Sequence, residues 1–245
     1  MDWFGINTLN YPFAMFSMSH IIIIFVCLLG CIAIYLFRER MRNIRSVEII
    51  VAWSLIVIEL IFHLWQMHNS IWFAYQSLPL ELCSIGLILC IVLLLTGRRL
   101  IYELLLFIAL LGATQAILTP VLNLGFPHFR FLHFFYTHFA MIWTVLYFTW
   151  VKNYRPTLRS VGKIFIFLNL LLPVILLTNH FTGGNYMFLS RKPETASLLD
   201  FLGPHPYYIF SLEALLIGLS LIVWLIFREK SKEGSKTQTI KMRFL

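Results

Sequence analysis

One cysteine, a group of histidines and one arginine are the residues of this chain best suited to chemistry. Cys83 follows a serine and a proline typical of a helix start, so its thiol should lie near the positive end of a helix dipole. Arg130, His133 and His138 begin another apolar segment. A thiol nucleophile, an imidazole base and a guanidinium that grips phosphate or carboxylate suffice for acyl transfer through a thioester. A buried, unreactive thiol at residue 83 is the alternative interpretation.

Other ionisable side chains also fall inside apolar segments, where each costs on the order of 3 kcal/mol. Glu59 and His63 lie one helical turn apart, so they can hold a neighbouring helix by hydrogen bonds or line a functional cavity. Glu213 lies in the last apolar segment. Further candidates for substrate contact are Gln115, His128 and Asp200. The histidine spacing contains no HExxH motif, so we expect neither a metal site nor a cofactor.

These residues belong to a chain that must be largely embedded in a membrane. Hydrophobic residues make up 60% of its 245 residues, charged residues only 12%, and the mean hydropathy is +0.82. Seven apolar segments are each long enough to cross a hydrocarbon core of about 30 Å. They are residues 18–37, 47–66, 80–97, 100–118, 131–151, 161–178 and 206–227. The fold predicted is all-α, a polytopic membrane protein with seven transmembrane helices.

The basic residues predict which side of the membrane each loop faces. Sixteen of the nineteen lie after the first, third and fifth segments or in the carboxyl-terminal tail, and only Arg130, Arg191 and Lys192 lie elsewhere. Since cytoplasmic loops carry the excess of Lys and Arg, we expect the amino terminus outside and the carboxyl terminus in the cytoplasm. The histidines then lie at or near the outer side.

The same distribution accounts for the formal net charge of +8 without a nucleic-acid partner, because no aromatic residues interleave with the basic ones on a soluble face. We expect one membrane domain over residues 1–230 and a basic, disordered cytoplasmic tail over residues 231–245. Membrane lipids, phospholipid or lysophospholipid, are the expected partners. The sequence leaves the oligomeric state open.

Three strings of the chain are distinctive. They are Pro79-Leu80-Glu81-Leu82-Cys83-Ser84, then Leu118-Thr119-Pro120 with Gly125-Phe126-Pro127-His128-Phe129-Arg130-Phe131, and Asn185-Tyr186 through Lys192-Pro193 to Ser197-Leu198-Leu199-Asp200-Phe201-Leu202-Gly203-Pro204. These strings resemble the YwaF-type family of bacterial integral membrane proteins, which is related to the eukaryotic transmembrane protein 164 acyltransferases. The resemblance covers essentially the whole membrane domain and implies a seven-helix bundle in a bacterial cytoplasmic membrane.

The resemblance also implies a function, because the eukaryotic branch moves fatty acyl chains between phospholipids with a cysteine and a histidine. The cysteine corresponds to Cys83, and the histidine falls in the fifth segment, where we prefer His138 to His133 and His128. The expected activity is therefore a lipid acyltransferase or acyl hydrolase near the outer face, with Arg130 beside the lipid headgroup.

A different class of function is also compatible with the sequence. In this alternative the chain is a non-enzymatic transporter or lipid-binding protein, and Glu59, His63 and Glu213 line a path through the bundle.

Overall fold

The computed structural model describes residues 3–193 and 198–229, and within them the chain is all-helical. The long helices are α1 (Met18–Leu36), α2 (Arg45–His68), α3 (Leu82–Thr96), α4 (Arg99–Leu118), α5 (Phe129–Trp150), α6 (Leu158–Thr182) and α7 (Tyr208–Phe227). Two short 3₁₀ helices, Tyr186–Phe188 and Leu198–Leu202, lie in the connection between α6 and α7. The predicted tail falls on residues 230–245, outside the described residues.

Each predicted apolar segment corresponds to one helix. Six of the seven helices are long and apolar enough to cross a membrane, so the chain is a multi-pass integral membrane protein. The exception is α3, whose 15 residues extend about 22 Å at 1.5 Å per residue. The helix that carries Cys83 is therefore shorter than the predicted segment 80–97.

The central element of the bundle is α5, which is the most buried of the six long apolar helices. Helices α1, α2, α3 and α4 all pack against it. Helix α6 packs against α4, and α7 packs mainly against α6. Because α3 and α5 are separated in sequence by the single helix α4, they run in the same direction through the bundle.

The two ends of the bundle differ in their polar chemistry. At the end we call the arginine-rich end, Glu103 pairs with Lys163 and lies 3.6 Å from the Arg99 guanidinium. In the same way, Glu48 accepts from the Lys152 ammonium at 2.7 Å and is paired with an arginine. Both carboxylates are almost fully buried, so these ion pairs satisfy charges that the bundle interior would otherwise exclude.

The opposite end, which we call the histidine-rich end, contains the starts of α3 and α5. The amino-terminal segment packs across it. The Trp65 indole N–H donates to Phe4 O at 2.7 Å, and the backbone N–H of Gly125 donates to Tyr11 O at 2.7 Å. A side chain on Gly125 would come within 2.9 Å of the Pro12 carbonyl, so glycine permits this close approach.

Candidate functional site

Cys83 lies in the first turn of α3 and is partly buried. At 100° per residue, Cys83, Gly86 and Cys90 fall within about 60° of one another on the helix surface. The Cys90 thiol points at α5, where it reaches the Ala140 carbonyl at 3.7 Å and the Thr144 hydroxyl at 3.3 Å. The helix face that carries Cys83 is therefore the face packed toward α5.

The closest approach on this face involves Gly86. A Cβ atom there would lie 2.8 Å from the Met141 sulfur and 2.9 Å from an Ile108 methyl carbon. Cys83 precedes Gly86 by three residues, and His138 precedes Met141 by three residues. Because α3 and α5 run in the same direction, Cys83 and His138 lie on the same side of this contact. Each lies one helical turn nearer the histidine-rich end. Cys83 itself has no hydrogen-bond partner among the described residues.

Helix α4 widens where it passes this contact. Residues Ile108–Ala113 form a π-helical turn, and its Gly112 lies beside Leu82, since an added Cβ would be 3.7 Å from the leucine side chain. Single π-turns within α-helices occur frequently at functional sites. The first turn of α3 is thus bordered by α5 and by the widened turn of α4.

The hydrogen bonds of His138 define its tautomer. Its Nδ1 lies 2.6 Å from the backbone carbonyl of Phe134, and a carbonyl can only accept, so Nδ1 carries the proton. The imidazole also stacks on the Phe134 ring, with centroids 4.2 Å apart. The other nitrogen, Nε2, has no hydrogen-bond partner among the described residues and keeps its lone pair.

The other two candidate histidines have both nitrogens engaged. His133 Nε2 lies 2.9 Å from a Glu59 carboxylate oxygen, and its Nδ1 lies 3.3 Å from the Arg130 guanidinium, which can only donate. His128 Nδ1 accepts from the Arg130 backbone N–H at 3.0 Å, and its Nε2 lies 2.7 Å from the Gly5 carbonyl. His128 is therefore the cap of α5, and His133 is a hydrogen-bond bridge between helices.

Glu59 is the centre of a polar cluster between α2 and α5. One carboxylate oxygen accepts from His133, and the other lies 3.7 Å from His63 Nε2, too far for a hydrogen bond but close enough for electrostatic attraction. The Trp72 indole N–H donates to His63 Nδ1 at 3.1 Å. Both imidazoles thus direct an Nε2–H toward the same carboxylate.

Arg130 lies beside this cluster, and most of its N–H donors have no partner among the described residues. Its guanidinium carbon lies 4.8 Å from the centroid of the Phe62 ring and 5.5 Å from that of Phe134. Within the part of the chain that the structure describes, its guanidinium makes one side-chain hydrogen bond, to His133. Aromatic stacking holds the guanidinium plane in place while leaving N–H groups for an anion.

A loop covers the start of α3. The backbone N–H of Met187 donates at 3.1 Å to the carboxylate of Glu81, which is two residues before Cys83. The Tyr186 hydroxyl donates to the Ala74 carbonyl at 2.7 Å and accepts from the Leu78 N–H at 2.9 Å. Burial raises the pKa of the Tyr186 hydroxyl.

Asn179, at the end of α6, fixes the same loop. Its side-chain amide donates to the Tyr186 carbonyl at 3.1 Å, and its side-chain oxygen accepts from the Tyr186 N–H at 2.7 Å. We call residues 183–193 the Tyr186 loop. Its contacts join α6 to the segment that precedes Cys83.

The remaining predicted site residues lie apart from this centre. Gln115 is exposed and bonds at 2.7 Å to Thr119, the residue directly after its helix. Asp200 is exposed in the second 3₁₀ helix. Glu213 lies on α7, whereas Glu59 and His63 lie on α2, which packs against α3 and α5. The structure therefore does not bring Glu213 to the other two residues of the alternative path.

Several hydrogen-bond partners of the candidate residues were not predicted from the sequence. Trp72, Tyr186 and Asn179 hold functional candidates in place, and their only sequence signal is the presence of Tyr186 in one of the quoted strings. The Glu59–His133 contact joins residues 74 positions apart, which no local pattern predicts. No three histidine, cysteine or carboxylate side chains of the described part of the chain lie close enough together to hold a metal ion.

Comparisons with known proteins give one result. No curated protein and no solved structure matches the chain. A sequence profile described as the TMEM164 family matches residues 15–224. This range is 224 − 15 + 1 = 210 of the 245 residues, and it includes all seven helices except for the last three residues of α7. The resemblance to the transmembrane protein 164 group is thereby confirmed, and the chain belongs to the TMEM164 family.

Proposed function

We propose that this chain is a membrane lipid acyltransferase, or acyl hydrolase, in which Cys83 is the nucleophile and His138 the general base. The observation that carries the proposal is the hydrogen bonding of the histidines. Of the three candidates on or next to α5, only His138 combines a protonated Nδ1 with an Nε2 whose lone pair is unengaged. A general base needs that lone pair.

The relative position of the two groups supports the same assignment. Both Cys83 and His138 lie one turn from the contact between Gly86 and Met141, on the same side of it. Among the described residues the two groups make no hydrogen bond to each other, and catalytic hydrogen bonds often form only when substrate binds.

The chemistry follows from these two groups. His138 Nε2 accepts the thiol proton, and the Cys83 thiolate attacks the ester carbonyl of a phospholipid. The bond from the acyl carbon to the glycerol oxygen breaks, and that oxygen takes the proton from the imidazolium, which leaves an acyl-thioester and a lysolipid. A lysolipid hydroxyl or water then attacks the thioester, gives its proton to His138, and releases the thiol.

Arg130 supplies the binding step in this proposal. Its N–H groups at the histidine-rich end suit the phosphate of a lipid headgroup, which an arginine binds with two parallel hydrogen bonds. His133 and Glu59 position the guanidinium through the His133 Nδ1 contact. The Tyr186 loop then excludes water from the first turn of α3 and favours transfer over hydrolysis.

Lipid mass spectrometry tests the proposal on protein purified in nanodiscs that contain a phospholipid with an isotope-labelled chain and a lysophospholipid. Cys83→Ala should abolish acyl exchange, and His138→Ala should slow it by about 10²- to 10⁴-fold. Cys90→Ala, on the same face of the same helix, is the matched control and should retain activity. Full exchange by Cys83→Ala would remove the nucleophile from the mechanism.

We further propose the topology on which this site depends. Helix α3 crosses the membrane together with the turn before it, which gives seven spans, an external amino terminus and a cytoplasmic carboxyl terminus. The support is the basic residues, which concentrate at the arginine-rich end. The bacterial cytoplasmic membrane is the proposed location, and one membrane domain over residues 1–230 is the proposed extent. A reporter fused to the amino terminus, before α1, and a reporter fused to the carboxyl terminus should report opposite sides.

A further inference from the structure

A groove runs along α5 in the half of the bundle near the arginine-rich end. Helices α1 and α2 both pack against α5 but scarcely against each other, so the α5 surface between them is open from the side. The cavity there has a volume of about 240 Å³ and is almost entirely apolar. Its floor is one stripe of α5 at helical spacing: Tyr136, Ala140, Trp143, Thr144 and Tyr147.

Polar contacts between α2 and α5 mark the two ends of the groove. The hydroxyls of Ser54 and Tyr136 lie 2.5 Å apart at one end. At the other end, the Tyr147 hydroxyl donates to the Glu48 carboxylate at 2.6 Å. Tyr136 and Tyr147 are eleven residues apart, which corresponds to about 16 Å along a helix. That length is about half of a 30 Å hydrocarbon core, the depth of one leaflet.

The charges around the open end identify the headgroup that would fit. The groove ends beside the loop between α1 and α2, since Met41 and Ile44 line it. The cations of this rim are Arg38, Arg40, Arg42, Arg45 and Lys152, and its carboxylates are Glu39 and Glu48, which leaves an excess of three positive charges. The Arg42 side chain is exposed and has no partner among the described residues. A zwitterionic headgroup carries its own cation, whereas an anionic one complements this rim.

We propose that this groove is a binding site for an anionic phospholipid of the leaflet at the arginine-rich end, with one acyl chain along α5 and the phosphate at the arginine rim. The site is separate from Cys83, which lies at the opposite end of α3. It does not depend on the proposed acyl transfer.

Native mass spectrometry in mild detergent tests the site, with phosphatidylglycerol and phosphatidylethanolamine of identical acyl chains as probes. The protein carries Cys83→Ala so that no turnover consumes the probe. We expect preferential retention of phosphatidylglycerol. Val51→Trp and Val47→Trp, which fill the groove, should reduce retention of both lipids at least tenfold. Ile50→Trp, on the exposed face of α2, is the matched control and should match the parent protein.

The rim is tested separately by charge removal. Arg40→Gln and Arg42→Gln should each reduce the preference for phosphatidylglycerol by about fivefold, since an arginine at a membrane surface contributes about that factor. Arg159→Gln, an exposed arginine on α6 at the same end, should leave the preference unchanged. Equal retention of the two lipids by the parent protein, or unaltered retention by both tryptophan variants with normal helicity, would overturn the proposal.

Discussion

The packing of α1 on α5 predicts that Gly30 tolerates no side chain. A Cβ at residue 30 would lie 2.3 Å from two carbon atoms of the Trp143 indole, more than 1 Å inside ordinary van der Waals contact. The indole cannot simply turn away, because its N–H donates to the Cys27 carbonyl at 3.1 Å. Small residues let membrane helices approach this closely, and Gly30 has that role here.

Gly30→Ala should therefore destabilise the protein by roughly 1 to 3 kcal/mol, the usual penalty for overpacking a filled interior. For a chain of this size each kcal/mol lowers the melting temperature by about 2 to 4 °C, so the expected decrease is roughly 2 to 12 °C in detergent. Gly218→Ala is the matched control, since a Cβ there meets nothing within 4 Å. Its melting temperature should stay the same or rise, because alanine is the better helix former.

A double-mutant cycle identifies the cause of the change. In a Trp143→Phe background the smaller ring leaves room, so Gly30→Ala should cost almost nothing, and the coupling between the two positions should equal the original penalty. A Gly30→Ala protein with the same melting temperature as the wild type would refute the close approach of α1 and α5. A penalty that persists in the phenylalanine background would assign the effect to the α1 backbone instead.

Three further substitutions test contacts at the two ends of the bundle. Glu59→Gln should lower stability by about 1 to 3 kcal/mol, because the amide keeps one acceptor for His133 but has no negative charge for the nearby Arg130 guanidinium. Thermal unfolding measures the change, with Glu59→Asp as the comparison that keeps the charge. Asn179→Ala should release the Tyr186 loop and speed amide hydrogen exchange there, while exchange in α5, the internal reference, should not change. Unchanged exchange in the loop would show that the Asn179 hydrogen bonds do not hold it. Glu103→Gln should destabilise the arginine-rich end and leave one lysine unpaired, and an unchanged melting temperature would show that this buried ion pair contributes no net stability.

The helices were predictable because the signals that define them are local. Apolar runs long enough to span a membrane, with basic residues at one set of their ends, are sufficient to locate all seven helices. Six of these helices are long enough in the structure to cross a membrane. The largest boundary difference is at α6, predicted as residues 161–178 and observed as Leu158–Thr182. Its last turn carries Asn179, a polar residue that lowers hydropathy but whose side chain bonds to the Tyr186 loop.

The sequence proposes the members of the candidate site but not their contacts. It predicts by itself that Cys83, Arg130 and several histidines lie at one level, because helix direction and spacing set that level. Which histidine keeps a free nitrogen was decided by tertiary structure, since the partners of His133 and His128 come from α2 and the amino-terminal segment. Hydrogen bonds between residues distant in sequence depend on how helices pack, and no local pattern of residue types encodes that packing.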